Sequence, residues 1–275
     1  MPTACRTTQP AWPIRWASYP VLLCEPCLDL GWPAISMCGR IASYTPPARL
    51  ARLLDARLAQ GLDPVGHPSW NVTPMRRVYA LTGPRASWVI DAYRWGLVPS
   101  WSQDPSVGNR LFNARAETVA TTPAFRSAFA NRRCLVLADG FYEWREVKAS
   151  DLLDNAARKV PYGFRRADND IMLLAGLWET WRDPNAPEDP QRMLRTCTIV
   201  TTEASPDVAP VHGRMPVILT RETAPLWLEN KERDARVLPN LLRPAAEGTL
   251  LSFRVDPRVG SASNDGEHLF RPLEL

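Results

Sequence analysis

Four polar side chains of the kinds that enzymes use lie within apolar or glycine-containing stretches of this sequence. They are Cys38 in Met-Cys-Gly-Arg, Asn113 in Phe-Asn-Ala-Arg-Ala-Glu, Glu143 in Gly-Phe-Tyr-Glu-Trp and His212 in Val-His-Gly-Arg-Met-Pro. A thiol, a carboxamide, a carboxylate and an imidazole can supply a nucleophile, an orienting group and groups that accept and donate protons. Covalent and general acid–base catalysis require such a set.

Each of these residues also has a structural interpretation. Cys38 can be a small buried apolar residue, which is a common fate of an isolated cysteine. His212 can be a hydrogen-bonded histidine in a turn, Glu143 a strand-edge carboxylate paired with an arginine, and Asn113 a cap of the following turn. Taken one at a time, the residue types leave both interpretations open.

Taken together, in this order and spacing, the four strings resemble the SOS response-associated peptidase (SRAP) family, whose members begin Met-Cys-Gly-Arg. The resemblance extends from Met37 to the C-terminus. It includes Trp-Asn-Val-Thr-Pro at 70–74, Arg-Trp-Gly-Leu-Val-Pro-Ser-Trp at 94–101 and the run at 212–219. It implies an α+β fold, a single domain with a curved, barrel-like and mainly antiparallel sheet flanked by helices.

The resemblance also implies roles for individual residues. Cys38, Asn113, Glu143 and His212 correspond to the catalytic positions of the family, which acts on single-stranded DNA containing abasic sites. The implied DNA-binding residues are Arg40, Trp101, Arg115 and Trp144, with Asn71, Pro74, Thr201 and Arg214 as weaker candidates. Some relatives carry two adjacent tryptophans where this chain has Trp101-Ser102, so one stacking surface is expected to be reduced.

An N-terminal cysteine suits an abasic site because the open sugar presents an aldehyde. An α-amine and a β-thiol on one residue can condense with it as a Schiff base and then close a five-membered thiazolidine. A terminal amine has a pKa of about 8, against about 10.4 for lysine, so more of it is nucleophilic at neutral pH. In this hypothesis Glu143 relays protons, His212 acts as acid or base, and Asn113 orients the ring.

The chain as written places 37 residues before Cys38, which therefore has no free α-amine. Two routes would expose it: translation beginning at Met37, followed by removal of that methionine, or self-cleavage between Met37 and Cys38. We favour the first. Accordingly, we divide the chain into an irregular extension at 1–36, which contains six prolines, and a domain at 37–275.

Two rival functions use the same residues. One is a general cysteine peptidase with Cys38 as nucleophile and His212 as base. The other is a passive single-stranded DNA-binding module in which the polar residues are structural. The pair Cys24 and Cys27 supplies too few ligands for zinc, and the three histidines are widely separated, so we expect no metal or organic cofactor.

The charge and composition are compatible with a nucleic-acid partner without requiring one. The formal net charge is +4, and only three of the 33 basic residues are lysine. Arginine favours bidentate contacts with phosphate groups. We expect a cytoplasmic protein associated with DNA, without a membrane partner, with a monomer as the default state. Replication-fork proteins are further candidate partners.

Periodicity outlines the elements that must position these groups. Leucines between Thr45 and Gly61 predict a capped amphipathic helix. Further helices are expected at 123–130, 205–211 and 220–230, and strands at 77–81, 87–95, 133–138, 171–178, 195–202 and 250–255. The polar segments 148–170 and 183–190 are predicted to be surface loops. Strands and helices mix without βαβ alternation, which indicates one α+β domain on a curved antiparallel sheet.

Overall fold

A computed structural model describes residues 38–62, 68–147, 158–186, 188–189, 193–229 and 237–273. The predicted extension 1–36, with Cys24 and Cys27, lies outside these residues. The described strands are β1 (Ile41–Ser43), β2 (Arg57–Leu58), β3 (Ser69–Val72), β4 (Arg77–Thr82), β5 (Val89–Trp95), β6 (Asn113–Arg115), β7 (Arg133–Ala138), β8 (Gly140–Val147), β9 (Arg158–Arg166), β10 (Met172–Arg182), β11 (Met193–Glu203), β12 (Arg214–Pro216), β13 (Ile218–Leu219) and β14 (Leu250–Arg254). The described α-helices are α1 (Pro47–Leu54), α2 (Arg126–Asn131), α3 (Ala224–Leu228) and α4 (Val237–Leu241).

Five strands close into a barrel in the order β4, β5, β11, β10 and β7. Four of the pairings are antiparallel. The parallel pairing of β5 with β11, with Trp95 opposite Cys197, closes the ring. The short strands β2, β6, β12 and β13 extend the barrel by pairing with its members. The predicted α+β fold with a barrel-like, mainly antiparallel sheet is therefore confirmed.

A second, five-stranded antiparallel sheet has the order β14, β9, β8, β1 and β3. Its strand β8 contains Glu143, and Cys38 lies three residues before its strand β1. Ile41 lies opposite Phe141, and both side chains are fully buried. This sheet therefore positions two of the four candidate catalytic residues.

Alternate residues of the barrel strands contribute to two hydrophobic clusters, as the two-residue period of a strand requires. Leucines such as Leu135 and Leu173 pack in a cluster with residues of the four helices. Their neighbours Val136 and Leu174 pack in a second cluster with Cys38 and residues of the five-stranded sheet. The second cluster thus joins the two sheets, and Cys38 is one of its members.

Two predicted helices differ from the structure. The helix after Thr45 ends at Leu54, where Asp55 takes a left-handed conformation with φ of 50°, and residues 57–58 pair with β5 instead. The Thr45 hydroxyl donates to Asp139 rather than capping the helix. The predicted helix at 205–211 is a run of turns. Pro210 has no N–H to continue helical hydrogen bonding.

The prediction of a loop over 148–170 is wrong for its second half, which forms β9. Residues 148–157 lie outside the described part of the chain. Val160, Tyr162 and Phe164 alternate with more polar or smaller residues, and Phe164 is fully buried opposite Phe141. On the other face of β9, Pro161 and Gly163 are buried and only Lys159 and Arg165 near the ends are exposed, so the polar composition comes from the ends of the strand. Large side chains at every second position are the strand pattern in this segment.

No helix in the part of the chain that the structure describes is long and apolar enough to cross a membrane.

Gly140 provides a test of this packing. An added Cβ would overlap the ring of Phe270 and lie 2.6 Å from the backbone oxygen of Phe164. We expect Gly140→Ala to lower the free energy of unfolding by about 1–3 kcal/mol through overpacking. The matched variant is Gly260→Ala, where an added Cβ meets nothing within 4 Å. Urea denaturation should separate the two, and equal midpoints would contradict this account of the contact.

Candidate active site

Cys38 lies three residues before β1 begins at Ile41, and the pairing of β1 with β8 brings it to Glu143. The N–H of Tyr142 donates to the backbone oxygen of Arg40 at 3.0 Å, which continues the pairing toward the start of the domain. The backbone N–H of Cys38 donates to Glu143 Oε1 at 2.6 Å. Residues 105 positions apart in sequence thus meet through one strand pair.

Asn113 approaches Cys38 from the barrel. It begins β6, which pairs in parallel with β11, with Asn113 opposite Ile199. Its side-chain Nδ2 donates to the backbone oxygen of Cys38 at 3.3 Å. The structure therefore brings Cys38, Glu143 and Asn113 together, with the backbone of Cys38 held on both its nitrogen and oxygen sides.

The backbone of Cys38 has a positive φ of 42°. This left-handed region costs a residue with a side chain roughly 1–2 kcal/mol. Such conformations persist where surrounding contacts hold them, and they are frequent at functional sites. Here those contacts are the hydrogen bond that Cys38 donates to Glu143 and the one that it accepts from Asn113.

Glu143 is 2% exposed, so its carboxyl group has lost nearly all its contact with water. Burial raises the pKa of Glu143 to about 8, while the backbone N–H groups of Cys38 and Trp144 oppose the shift. A carboxyl group with a pKa near neutrality can both accept and donate a proton under physiological conditions. Glu143 is therefore suited to proton transfer at the Cys38 nitrogen.

The thiol of Cys38 is fully buried. Burial raises its pKa well above the usual value for a cysteine, and the charge of Glu143 adds to the increase. The sulfur is therefore an S–H group at neutral pH. Thiolate nucleophiles of cysteine enzymes have lowered pKa values instead, next to cations or helix N-termini.

His212 lies in the turn before β12. Its backbone N–H donates to the oxygen of Val208 at 3.0 Å, and its ring Nδ1 accepts from the N–H of Arg214 at 3.1 Å. The same Nδ1 also lies 3.2 Å from the backbone oxygen of Arg214. Val208 and the adjacent Val211 belong to the same hydrophobic cluster as Cys38. These hydrogen bonds hold His212 within its own turn, outside the bonded set of Cys38, Glu143 and Asn113.

The predicted DNA-binding residues differ in exposure. Trp101 is 65% exposed, and Arg115 is exposed at the end of β6. Trp144 is half-buried and follows Glu143 in β8, so it faces the opposite side of the sheet. The guanidinium carbon of Arg40 lies 6.0 Å from the centre of a Trp144 ring.

Arg40 and Asn71 attach the C-terminal segment to the sheet. Arg40 donates to Asn71 Oδ1 at 2.7 Å and to the backbone oxygen of Gly260 at 2.9 Å. Asn71 is buried, and its Nδ2 donates to the backbone oxygens of Ser261 and Asn264. Both side chains therefore have structural partners in this conformation.

The remaining predicted contacts surround β11. Thr201 is fully buried, and its backbone oxygen accepts from Arg214 at 2.8 Å. Arg214 also forms an ion pair with Glu117, which sequence reasoning did not identify although it ends the Asn-Ala-Arg-Ala-Glu string. Pro74 is half-buried in the turn between β3 and β4.

Tyr162 is a second residue that sequence reasoning missed, since it lay in the predicted loop. It is directly opposite Glu143 in the pairing of β8 with β9, and it packs against the cluster that contains Cys38. Directly opposed residues of an antiparallel pair project from the same face.

These features define a class of protein: a barrel with an attached sheet, in which a buried cysteine lies against a carboxyl group whose pKa is raised. Residues 37–262 match the family described as SOS response associated peptidase (SRAP). The chain belongs to this family, as the resemblance in the sequence indicated.

Relatives agree with the assignment, and a solved structure shares the fold. The chain is 34% identical over 203 residues to the abasic site processing protein YoqW of Bacillus subtilis, covering 74% of this chain and 85% of YoqW. It is 31% identical over 273 residues to the abasic site processing protein HMCES of Gallus gallus, covering 87% and 79%. A crystal structure of a protein from Bacteroides thetaiotaomicron shares the fold, with a TM-score of 0.72 at 22% identity, covering 86% of this chain and all of that one.

The raised pKa of Glu143 predicts how stability depends on pH. The folded carboxyl group keeps its proton up to a pKa of about 8, whereas the unfolded one loses it near its ordinary value. The folded state therefore binds more protons between these values, and stability falls as pH rises, by up to about 1.4 kcal/mol per pH unit. Glu143→Gln should flatten this decline between pH 5 and 8.

The matched control is Glu146→Gln, because Glu146 is exposed on the other face of the same strand. Chemical denaturation at several pH values measures the slope. Glu146→Gln should keep the wild-type slope, and an unchanged slope in Glu143→Gln would show that Glu143 is not the titrating group.

Proposed function

We propose that this protein traps abasic sites in single-stranded DNA as a covalent thiazolidine on Cys38, in the chain form that begins at this residue. The relatives YoqW and HMCES are abasic site processing proteins. The observation that carries the proposal is the contact of 2.6 Å between the Cys38 nitrogen and Glu143 Oε1. This contact supports the proposal because the nitrogen must lose a proton before it attacks the aldehyde, and the carboxyl group is next to it.

The reaction has two bond-forming steps. The neutral amine of Cys38 adds to the C1′ aldehyde of the opened sugar, and loss of one water molecule gives an imine. The thiol then adds across the carbon–nitrogen double bond, so that sulfur bonds to carbon and the thiol proton is transferred to nitrogen. The product ring contains the aldehyde carbon, nitrogen, Cα, Cβ and sulfur. Both nucleophiles belong to one residue, so ring closure is intramolecular.

Glu143 accepts a proton from the ammonium form of the amine and returns it to the departing hydroxyl group as water leaves. A pKa of about 8 lets one carboxyl group perform both transfers near neutral pH. Asn113, hydrogen-bonded to the Cys38 carbonyl, holds the residue in the orientation that closes the ring. His212 serves as a further acid or base through its imidazole ring.

Single-stranded DNA is held by Trp101, Arg115, Trp144 and Arg214, with Arg40, Asn71, Pro74 and Thr201 shaping the surface. Aromatic stacking contributes about 1–3 kcal/mol per base without sequence preference, and arginine–phosphate contacts weaken as salt increases. The protein therefore prefers unpaired strands of any sequence.

The raised thiol pKa of Cys38 argues against a general cysteine peptidase. That mechanism needs a thiolate activated by a base, and His212 hydrogen-bonds within its own turn. Addition of the thiol to an imine needs no stable thiolate, because the imine nitrogen accepts the thiol proton. A peptidase activity in this protein is best matched to removal of the residues before Cys38.

In the test, the chain form that begins at Cys38 is mixed with a single-stranded oligonucleotide that carries one abasic site. The products are separated on a denaturing gel. Wild type should form a stable adduct, and Cys38→Ala should form none. Cys38→Ser, which can make the imine but not the sulfur ring, should lose the stable product. Cys134→Ala is the matched control, since it removes another fully buried thiol.

Mass spectrometry of the digested adduct locates the bond. We expect a DNA remnant on a peptide whose first residue is Cys38. An undiminished adduct in Cys38→Ala, or a remnant attached to lysine, would overturn the proposal.

A further inference from the structure

The face of the five-stranded sheet that carries Glu143 changes character along its length. Near the barrel, Phe141 and Phe164 lie opposite each other, stacked with ring centres 4.7 Å apart and fully buried. Two residues further along β8, Glu143 lies opposite Tyr162. Two residues beyond Glu143, on the same face, Arg145 is exposed. Glu143 and Tyr162 therefore mark the boundary between the apolar interior and an open surface.

A second arginine lies on this face. Arg254 of β14 is exposed and directly opposite Tyr162 in the pairing of β14 with β9. The guanidinium carbon of Arg145 lies 5.4 Å from the centre of the Tyr162 ring. Glu143, Tyr162 and Arg254 thus form one row across three strands, and Arg145 is diagonal to it.

The charges on this row are unbalanced. Among the described residues of β8, β9 and β14 on this face, Glu143 is the only acidic one, and its carboxyl group is buried with a pKa raised to about 8. Glu146, the other acidic residue of β8, is on the opposite face and pairs with Lys159. The row, together with Arg145 beside it, therefore presents two cations and an aromatic ring next to the candidate catalytic carboxyl group.

We propose that Tyr162, Arg145 and Arg254 form a subsite for single-stranded DNA, with the tyrosine ring contacting a base or sugar and the two arginines contacting phosphates. The proposal rests on the proposed function, because it names where the strand leaves the reacting sugar. Arginine forks match phosphate geometry, and an aromatic ring accepts any base. The alternation of exposed cations with a half-buried ring is the composition that single-strand sites use.

The experiment measures binding of an undamaged single-stranded oligonucleotide by fluorescence anisotropy at several salt concentrations. The double variant Arg145→Ala/Arg254→Ala should bind about tenfold more weakly at low salt. Its salt dependence should fall by about 1.4, which is about 0.7 for each of two lost phosphate contacts. Tyr162→Ala should weaken binding about tenfold with an unchanged salt slope, and Tyr162→Phe should bind like wild type.

The matched control is Lys159→Ala/Arg165→Ala. It also removes two positive charges from exposed positions of β9, but these residues alternate with Tyr162 and face the other side of the sheet. Equal weakening in this control and in Arg145→Ala/Arg254→Ala, or no weakening in the latter, would overturn the subsite. Because both variants change exposed side chains only, their melting temperatures should match that of wild type.

The same proteins are then tested for adducts with abasic DNA. At saturating DNA, Arg145→Ala/Arg254→Ala should form adduct at the wild-type rate, while at low DNA the rate should fall with affinity. If the variants lose binding as expected but wild type forms no adduct, the proposed function fails and the subsite stands. If wild type forms the adduct but the variants bind undamaged DNA normally, the subsite fails and the function stands.

Discussion

The hydrogen bond between the backbone nitrogen of Cys38 and the carboxyl group of Glu143 is the interaction on which the rest of the site depends. This hydrogen bond requires that β1 pairs with β8 in the observed register and that the backbone of Cys38 adopts a left-handed conformation. It also needs a carboxyl group removed from water. The left-handed conformation and the burial of the carboxyl group each cost free energy when taken alone. The hydrogen bonds of Cys38 with Glu143 and Asn113 are contacts that hold this conformation in place.

Packing of the barrel and the attached sheet stabilises this hydrogen bond. The hydrophobic cluster that fills one side of the barrel strands continues through Cys38 to Phe141 and Phe164, so the site is part of the core. Asn113 approaches from the barrel side and Glu143 from the sheet side, which fixes the position of Cys38 relative to both layers. The same burial that orders the site raises the pKa values of Glu143 and Cys38. Packing and reactivity therefore have one physical origin.

Much of this architecture could be predicted from the sequence, and the failures have identifiable causes. The strands at 133–138 and 195–202 follow from apolar runs. The family strings point to Cys38, Glu143 and Asn113, which the structure brings together. β9 was missed because Lys159, Arg165 and Arg166 near its ends give the segment a polar composition, and Tyr162 was missed with it. The helix expected at 205–211 failed at Pro210, which interrupts helical hydrogen bonding. Strand alternation places Glu143 and Trp144 on opposite sides of β8. Which of the two sides packs in the cluster with the barrel strands could not be predicted from the sequence.

The most direct test of the central claim is the ¹³C NMR spectrum of the adduct formed with DNA labelled at C1′ of the abasic site. The account predicts the resonance of a saturated carbon bonded to both nitrogen and sulfur, and its loss when Cys38 is replaced by serine. An unsaturated imine carbon in the stable wild-type adduct, or an unreacted aldehyde, would contradict it.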